Sequence, residues 1–297
     1  MSSDRVSPTA HYTGYVWARN GLSHPGLETV EGRVLYESLR GVNLISATLG
    51  GHSLERYLLA RHRSIDRLLE QAIDSGAVSQ VVEVACGLSP RGWRFAERYG
   101  EEIDYVEADL PGMARRKRSA LASIGSLTEH HRVVEADALA DQGPLSIAAL
   151  AESLDARRGL AIITEGLTGY LDSDSLAGMW RRFAAVLCGF PEGRYFSDLH
   201  LGAVQDAPIW AFRMLLSVFV RGQVHLHFET AEQALSALED AGFAQARLRR
   251  AAELIGEPER GGGELVHIIE ASTVPSQPPS SATRPARGRT RRTQPSG

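Results

Sequence analysis

The chain of 297 residues is 43% apolar and 23% charged, the balance of a soluble globular protein whose core needs no disulfide. Its formal charge of −4 argues against nucleic acid as the main partner, and no apolar run reaches the ~20 residues that span a bilayer. Two cysteines, Cys86 and Cys188, lie far apart without a CxxC or histidine-rich partner; this argues against a metal site and fits a reducing, cytoplasmic compartment. The opening MSSDRVSPTAHYTG has no apolar core of the kind a signal peptide needs.

In chain order, SLERYLLARHRSIDRLLEQAI predicts a helix with Leu54, Tyr57, Leu58, Ile65, Leu68 and Ala72 on one face. Strand QVVEVAC follows, then a turn and helix GWRFAERYG. Strand DYVEAD, a break at Pro111, an Arg-rich helix and strand HRVVEAD come next. An amphipathic segment from Ser146 to Leu154 leads to strand GLAIITEG. Asp172 and Ser173 offer N-cap oxygens for helix SLAGMWRRFAAVLCG. Strand RYFSDLHL, a long apolar segment, helix TAEQALSALEDAGF and strands QARLRR and ELVHIIEA complete the order. The last two strands invite an antiparallel hairpin at the sheet edge. Continuous apolar strands alternating with amphipathic helices predict a Rossmann-like α/β fold, its seven-stranded sheet mostly parallel with a terminal antiparallel strand. From Thr273 onward the Pro, Ser and Arg-rich tail reads as disordered, since it cannot bury enough surface to offset its chain entropy.

In open α/β sheets ligands bind past the carboxyl ends of the strands. The turn after the first strand carries Glu83, Cys86 and Gly87: a glycine lets backbone approach a ligand, and a carboxylate suits a cationic amine. Both GxxxxGK[ST] and GxGxxG are absent, with Ala85 in the first glycine slot of the latter. An ordinary βα turn is the plainer alternative. The second strand ends at Glu107 and Asp109, on the same side by alternation, where an acid can accept ribose hydroxyls; a solvated strand end is the alternative. The third ends at Glu135 and Asp137, placed to read an adenine amino group, and the fourth at Glu165 and Gly166. Four acidic strand ends together suit a cationic sulfonium nucleoside with a free amine.

The stretches VVEVACGLSPRGWRF, YVEADLPGM, VVEADAL and above all IITEGLTGYLDSDSL resemble the leucine carboxyl methyltransferase family, over about Leu54 to Ala271. The family includes protein phosphatase methyltransferases and tetracenomycin-type polyketide O-methyltransferases. The resemblance implies the class I S-adenosyl-L-methionine (SAM) methyltransferase fold with a helical cap, and SPTAHYTGYVWARNGLSHP looks like the cap segment of bacterial members. On this reading residues 1–52 are the cap, 53–272 the methyltransferase domain with a lid insertion at about 201–228, and 273–297 the tail. The implied cofactor is SAM. The implied site comprises Arg61 near the methionine carboxylate and substrate, Glu83, Ala85 and Gly87 in the methionine-side loop, and Glu107, Asp109 and Leu110 at the ribose. It continues with Asp137 and Ala138 at the adenine, Glu165 and Gly166 at the fourth strand, and Tyr170 as active-site tyrosine. Ala85 departs from the glycine of many relatives.

Arg61 stands out independently. At 100° per residue it falls within the apolar stripe of its helix while Arg63 faces away, and a guanidinium there requires an anion. A ligand carboxylate, an internal ion pair or a snorkelling side chain would each satisfy it. Methyl transfer from a sulfonium mainly needs alignment and exclusion of water. A carboxylate acceptor needs no base, whereas a phenol would profit from one, with His11, His225 or His227 as candidates. Two apolar caps would enclose a small carboxylic acid or phenol, such as a biosynthetic intermediate. One is His11, Tyr12, Tyr15, Trp17 and Asn20; the other is IWAFRMLLSVFV with Trp210. Tyr15 joins Tyr170 and Arg61 as a catalytic candidate, although core packing alone could explain both caps. Expected partners are the small acceptor, no nucleic acid and no membrane, in a monomer or homodimer. The alternatives are an NAD(P)-dependent oxidoreductase, a nucleic-acid N-methyltransferase, disfavoured by TEGL at the fourth strand, and a non-catalytic SAM-binding regulator.

Overall fold

A computed structural model describes residues 8–39, 54–202, 225–256 and 265–274. The helices are α1 (Pro8–Arg19), α2 (residues 30–39), α3 (Leu54–Asp74), α4 (Arg91–Tyr99), α5 (Pro111–Ser123), α6 (Ile147–Ala151), α7 (Ser173–Leu187), α8 (Ala231–Asp240) and α9 (Ala251–Ile255). The strands are β1 (Gln80–Val84), β2 (Asp104–Asp109), β3 (His131–Glu135), β4 (Leu160–Thr164), β5 (Gly193–Leu199), β6 (Gln245–Arg250) and β7 (His267–Ser272). They form one sheet in the order β3-β2-β1-β4-β5-β7-β6. The parallel pairs run from β3 to β5, while β7 is antiparallel to both β5 and β6.

The reversed strand is therefore last in the chain but second from the edge. The residue types explain why. Ile268 and Ile269 of β7 are fully buried, which requires cover on both faces, whereas β6 carries Arg247, Arg249 and Arg250 and tolerates the edge.

Period-two alternation splits the apolar strand residues between two cores. Val81, Tyr105, Ala161, Ile163, Phe196 and Ile268 pack towards α1 and α3. Val82, Val106, Leu160, Ile162, Tyr195 and Ile269 pack towards α6, α7 and α8. The amino-terminal helices join the first core: Tyr12 is 1% exposed and its ring stacks on Tyr36 at 5.8 Å. Most of the expected lid, including Trp210, and nearly all of the expected tail lie outside the described residues. Among the described residues, no helix is long and apolar enough to cross a membrane.

The expected N-cap of α7 is present, with Asp172 Oδ1 accepting from the Ser175 N–H at 2.7 Å. Replacing Asp172 with Ala strands that donor at cost of about 1 kcal/mol. Thermal unfolding of Asp172→Ala should show a midpoint lower by about 2–4 °C.

Candidate active site

Strand order reverses between β1 and β4, so the crevice of this sheet opens past their carboxyl ends. The same alternation that builds the cores decides what faces it. Glu83, Glu107, Glu165 and Asp198 all project to the α3 side, and the register sets Glu83 directly beside Glu107. Glu165 and Asp198 follow the paired residues Thr164 and Ser197 and so are lateral neighbours too. Adjacent carboxylates in an interior cannot both stay ionised without cations between them.

Helices supply those cations. Arg91, fully buried at the start of α4, bonds through Nη1 to Glu83 Oε1, through Nη2 to Glu165 Oε2 and through Nε to Asp66 Oδ1, each at 2.6 Å. Tyr105 donates to the second oxygen of Glu83 at 2.8 Å. Lys117 of α5 pairs with Glu107, whose other oxygen lies 2.7 Å from His131 Nε2. Arg61 donates to Glu165 Oε1 at 3.0 Å and to Asp198 Oδ2 at 3.3 Å. His62 Nδ1 lies 2.8 Å from Glu165 Oε2. Burial opposes ionisation of Glu165, but His62, Arg91 and Arg61 together hold its carboxyl well below the usual range. Asp198 moves the other way, raised by burial against the pull of Arg61.

Glu83 and Glu107 were expected to face a ligand, and the structure places both in the interior, 1% and 0% exposed, with their oxygens engaged by the protein. One and two residues back from the strand tip are far enough down the pleat to lie beneath α4 and α5. Arg61 is buried and Arg63 exposed, as the stripe implied, and the anion that Arg61 meets is internal. Glu165 likewise serves this network.

The strand tips are different. Asp109 is partly exposed, its Oδ2 accepting from Gly87 N–H at 2.7 Å and its Oδ1 from Leu110 N–H at 2.8 Å. Burial raises its pKa against those two bonds. The loop that reaches it turns through two left-handed residues, Ala85 at φ 54° and Gly87 at φ 52°. Ala85 is the one non-glycine residue in that region among those described, so its departure from glycine is a strained one. Asp137 is partly exposed and accepts from Leu139 N–H at 2.9 Å, while Ala138 beside it is buried. Gly166, at φ 69°, donates to Asp198 Oδ1 at 2.6 Å, and a methyl there would lie 3.1 Å from the Arg61 guanidinium.

Helix α1 lies across this floor. Methyl groups built at Gly14 and Gly87 would lie 3.3 Å from Leu88 Cβ and 3.6 Å from Ala10 Cβ. Tyr170, in the turn after β4, donates to Thr9 Oγ1 at 3.0 Å. Trp17 packs tilted against His62 with ring centroids 4.8 Å apart, and its buried Nε1–H has no hydrogen-bond partner among the described residues. His11, Tyr12 and Tyr15 turn towards α2 instead: His11 Nδ1 is 2.9 Å from Thr29 Oγ1, and both tyrosine rings pack on Tyr36. Both ring nitrogens of His227 are engaged, by Thr168 O and Ser173 Oγ. His225 holds Gly169 O through its backbone N–H and stacks on His227 at 6.0 Å.

Sequence reading passed over Arg91, His62, Asp66, Lys117 and Asp198. Asp66 and His62 had a detectable signal, since each lies on the apolar face of α3, and so did Lys117, the chain's lone lysine. Arg91 had none, because its burial depends on how α4 is set over β1 and β4.

Replacing Arg91 with Met leaves three buried carboxylates short of their partner and should lower stability by about 3–5 kcal/mol. Arg63→Met should stay within about 0.5 kcal/mol, both measured by denaturant unfolding. The depressed pKa values of Glu165 and Asp66 set the pH response. Their stabilisation is complete above the unfolded carboxylate range, near pH 4–5, and is lost as pH falls through the depressed folded values. Acidification below about pH 5 should therefore reduce stability less steeply in Glu165→Gln than in the parent chain.

The comparisons agree with this architecture. Residues 40–184 match the family model described as leucine carboxyl methyltransferase. A protein of Mycolicibacterium gilvum (strain PYR-GCK), provisionally named an S-adenosyl-L-methionine-dependent methyltransferase, is 32% identical over 118 residues, 40% of this chain. The matched stretch spans only 37% of that relative's own length. Among solved structures, a DUF574 family protein of Streptomyces avermitilis superposes with TM-score 0.65 at 13% identity, covering 90% of this chain and 98% of its own. A protein of Thermobifida fusca YX, described provisionally as a methyltransferase, gives TM-score 0.63 at 14% identity over 91% of this chain and 96% of its own. At these identities the structural likeness concerns the fold. The family model spans β1 to β4 and their turns, so it is in this stretch, residues 40–184, that the chain is similar to the leucine carboxyl methyltransferase family.

Proposed function

We propose that the strand-end crevice binds S-adenosyl-L-methionine and that the protein transfers its methyl group to an oxygen of a small organic acceptor. The observation that carries this is Asp109, a partly exposed acid fastened by the N–H groups of Gly87 and Leu110 at the tip of β2. Each oxygen keeps a lone pair for a ribose hydroxyl. Leu110 (43% exposed) and Leu139 (40%) follow β2 and β3 as open apolar side chains, suited to the faces of a purine, with Asp137 and Ala138 nearby.

The methionine half would lie over the ion-pair cluster, where the carboxylates of Asp66, Glu83, Glu107, Glu165 and Asp198 meet Arg61, Arg91, Arg94 and Lys117, with His62 and His131 among them. The unpartnered Trp17 Nε1–H is a donor available beside it. When bound, the cofactor supplies a methyl group already activated on sulfonium. The chain's own contribution is then alignment and exclusion of water by α1, with Tyr170 at the acceptor edge.

A carboxylate acceptor, consistent with the family, arrives ionised and needs no base. For a phenolic hydroxyl, His225 is the histidine best placed, since His11 and His227 are committed elsewhere and His225 makes no ring hydrogen bond among the described residues. A regulator that binds the donor without turnover remains the second reading, favoured by the closed state of the crevice near Glu83 and Leu88.

Isothermal titration should register binding of S-adenosylhomocysteine and none of NAD. Asp109→Ala should weaken that affinity by about 10- to 100-fold, the loss of one or two hydrogen bonds to a charged acceptor. Mass spectrometry of small carboxylic acids and phenols incubated with enzyme and SAM should reveal products heavier by one methylene. Nucleotide binding confined to NAD would refute the assignment, and donor binding without any methylated product would favour the regulator.

A further inference from the structure

We propose that Trp17 is a ligand-binding residue of the crevice: its indole Nε1–H receives a carboxylate oxygen, brought either by the methionine end of the donor or by the acid that is methylated. The inference deepens the donor-binding reading above and rests on it.

Trp17 is 4% exposed, and its buried Nε1–H has no acceptor among the described residues. An interior donor left unpaired costs free energy, and such groups are uncommon in folded proteins. Trp180, also buried, shows the ordinary solution: its N–H donates to the Tyr195 hydroxyl at 3.3 Å. The His62 ring beside Trp17 offers no such solution, because both of its nitrogens are engaged. Nδ1 lies 2.8 Å from Glu165 Oε2, and Nε2 lies 3.4 Å from Arg94 Nη1.

The position of the indole narrows what the acceptor can be. Ala10, Gly14 and Trp17 follow one another at spacings of four and three and so share a face of α1. Ala10 and Gly14 lie over Gly87 and Leu88 of the loop after β1. Trp17 lies over His62, which touches Glu165 just past β4. The indole therefore borders the crevice between the ends of β1 and β4, beside the amino acid end of a bound donor. Arg61, the cation expected to grip a ligand carboxylate, already pairs with Glu165 and Asp198. A third carboxylate on that guanidinium would crowd like charges in the interior, whereas an indole N–H accommodates one without displacing an ion pair. A hydrogen bond to an ionised acceptor is also among the stronger kinds.

Isotope-edited proton spectra of the parent chain read the indole N–H directly, with the Trp17 resonance identified by its nuclear Overhauser contacts to the His62 ring. S-adenosylhomocysteine should move that resonance downfield. Methylthioadenosine, which keeps the nucleoside and thioether but has no amino acid end, should leave it in place. In titration, Trp17→Phe should bind S-adenosylhomocysteine about tenfold more weakly, the factor of one hydrogen bond to a charged acceptor, and methylthioadenosine as the parent does. A resonance that moves only when benzoate joins the S-adenosylhomocysteine complex would assign the carboxylate to the methyl acceptor instead. A resonance that moves with neither would overturn the proposal. Equal losses of affinity for both nucleosides in Trp17→Phe, the mark of a packing role, would overturn it too. If the parent chain binds neither nucleoside, the donor reading itself fails and takes this inference with it.

Discussion

Arg91 is the pin on which the carboxyl end of this sheet turns. It reaches β1, β4 and α3 at once, and each contact is with a carboxylate removed from water. The sheet register creates the need: Glu83 abuts Glu107, and Glu165 abuts Asp198. Without guanidinium or ammonium groups between them, the strands could not keep these side chains ionised in the interior. Arg61, Arg91 and Lys117 come from three different helices, so neutralising the strand ends also fixes α3, α4 and α5 over them. The hydrophobic cores give the fold its stability, whereas these ion pairs specify how the helix ends meet the crevice.

That arrangement divides the crevice by polarity. Beneath α1 it is closed and floored by ion pairs. Past β2 and β3 it is open, apolar at Leu110 and Leu139, and offers the fastened acids Asp109 and Asp137. The loop between β1 and α4 ties the halves together, because Gly87 donates to Asp109 while lying under Ala10. Its left-handed Ala85 holds strain at the point where β1, β2 and α1 converge, while Gly87 takes the same conformation freely.

Most of the fold was legible in the sequence. Apolar runs alternating with amphipathic helices located all seven strands, and the apolar stripe of α3 separated buried Arg61 from exposed Arg63, because both depend on pattern within one element. The N-cap at Asp172 followed from local chemistry in the same way. Asp109 was recognisable as a strand-tip acid. Glu83 and Glu107 were misread because acidic strand ends look alike in one dimension. The distance that separates a tip from a position beneath a helix is a property of the packed helix, not of the strand.

The sequence by itself determined the order of elements, the inward turn of Arg61 and the acidic character of the strand ends, since periodicity and composition act over a few residues. Which acid pairs with which cation was decided only by tertiary structure. Arg91 meets Glu165 across 74 positions and Arg61 meets Asp198 across 137, contacts that exist only after the sheet has set the strands side by side. The reach of Thr9 to Tyr170, 161 residues apart, belongs to the same class. Long-range electrostatic pairing depends on separations in space, and these follow from packing rather than from any local pattern.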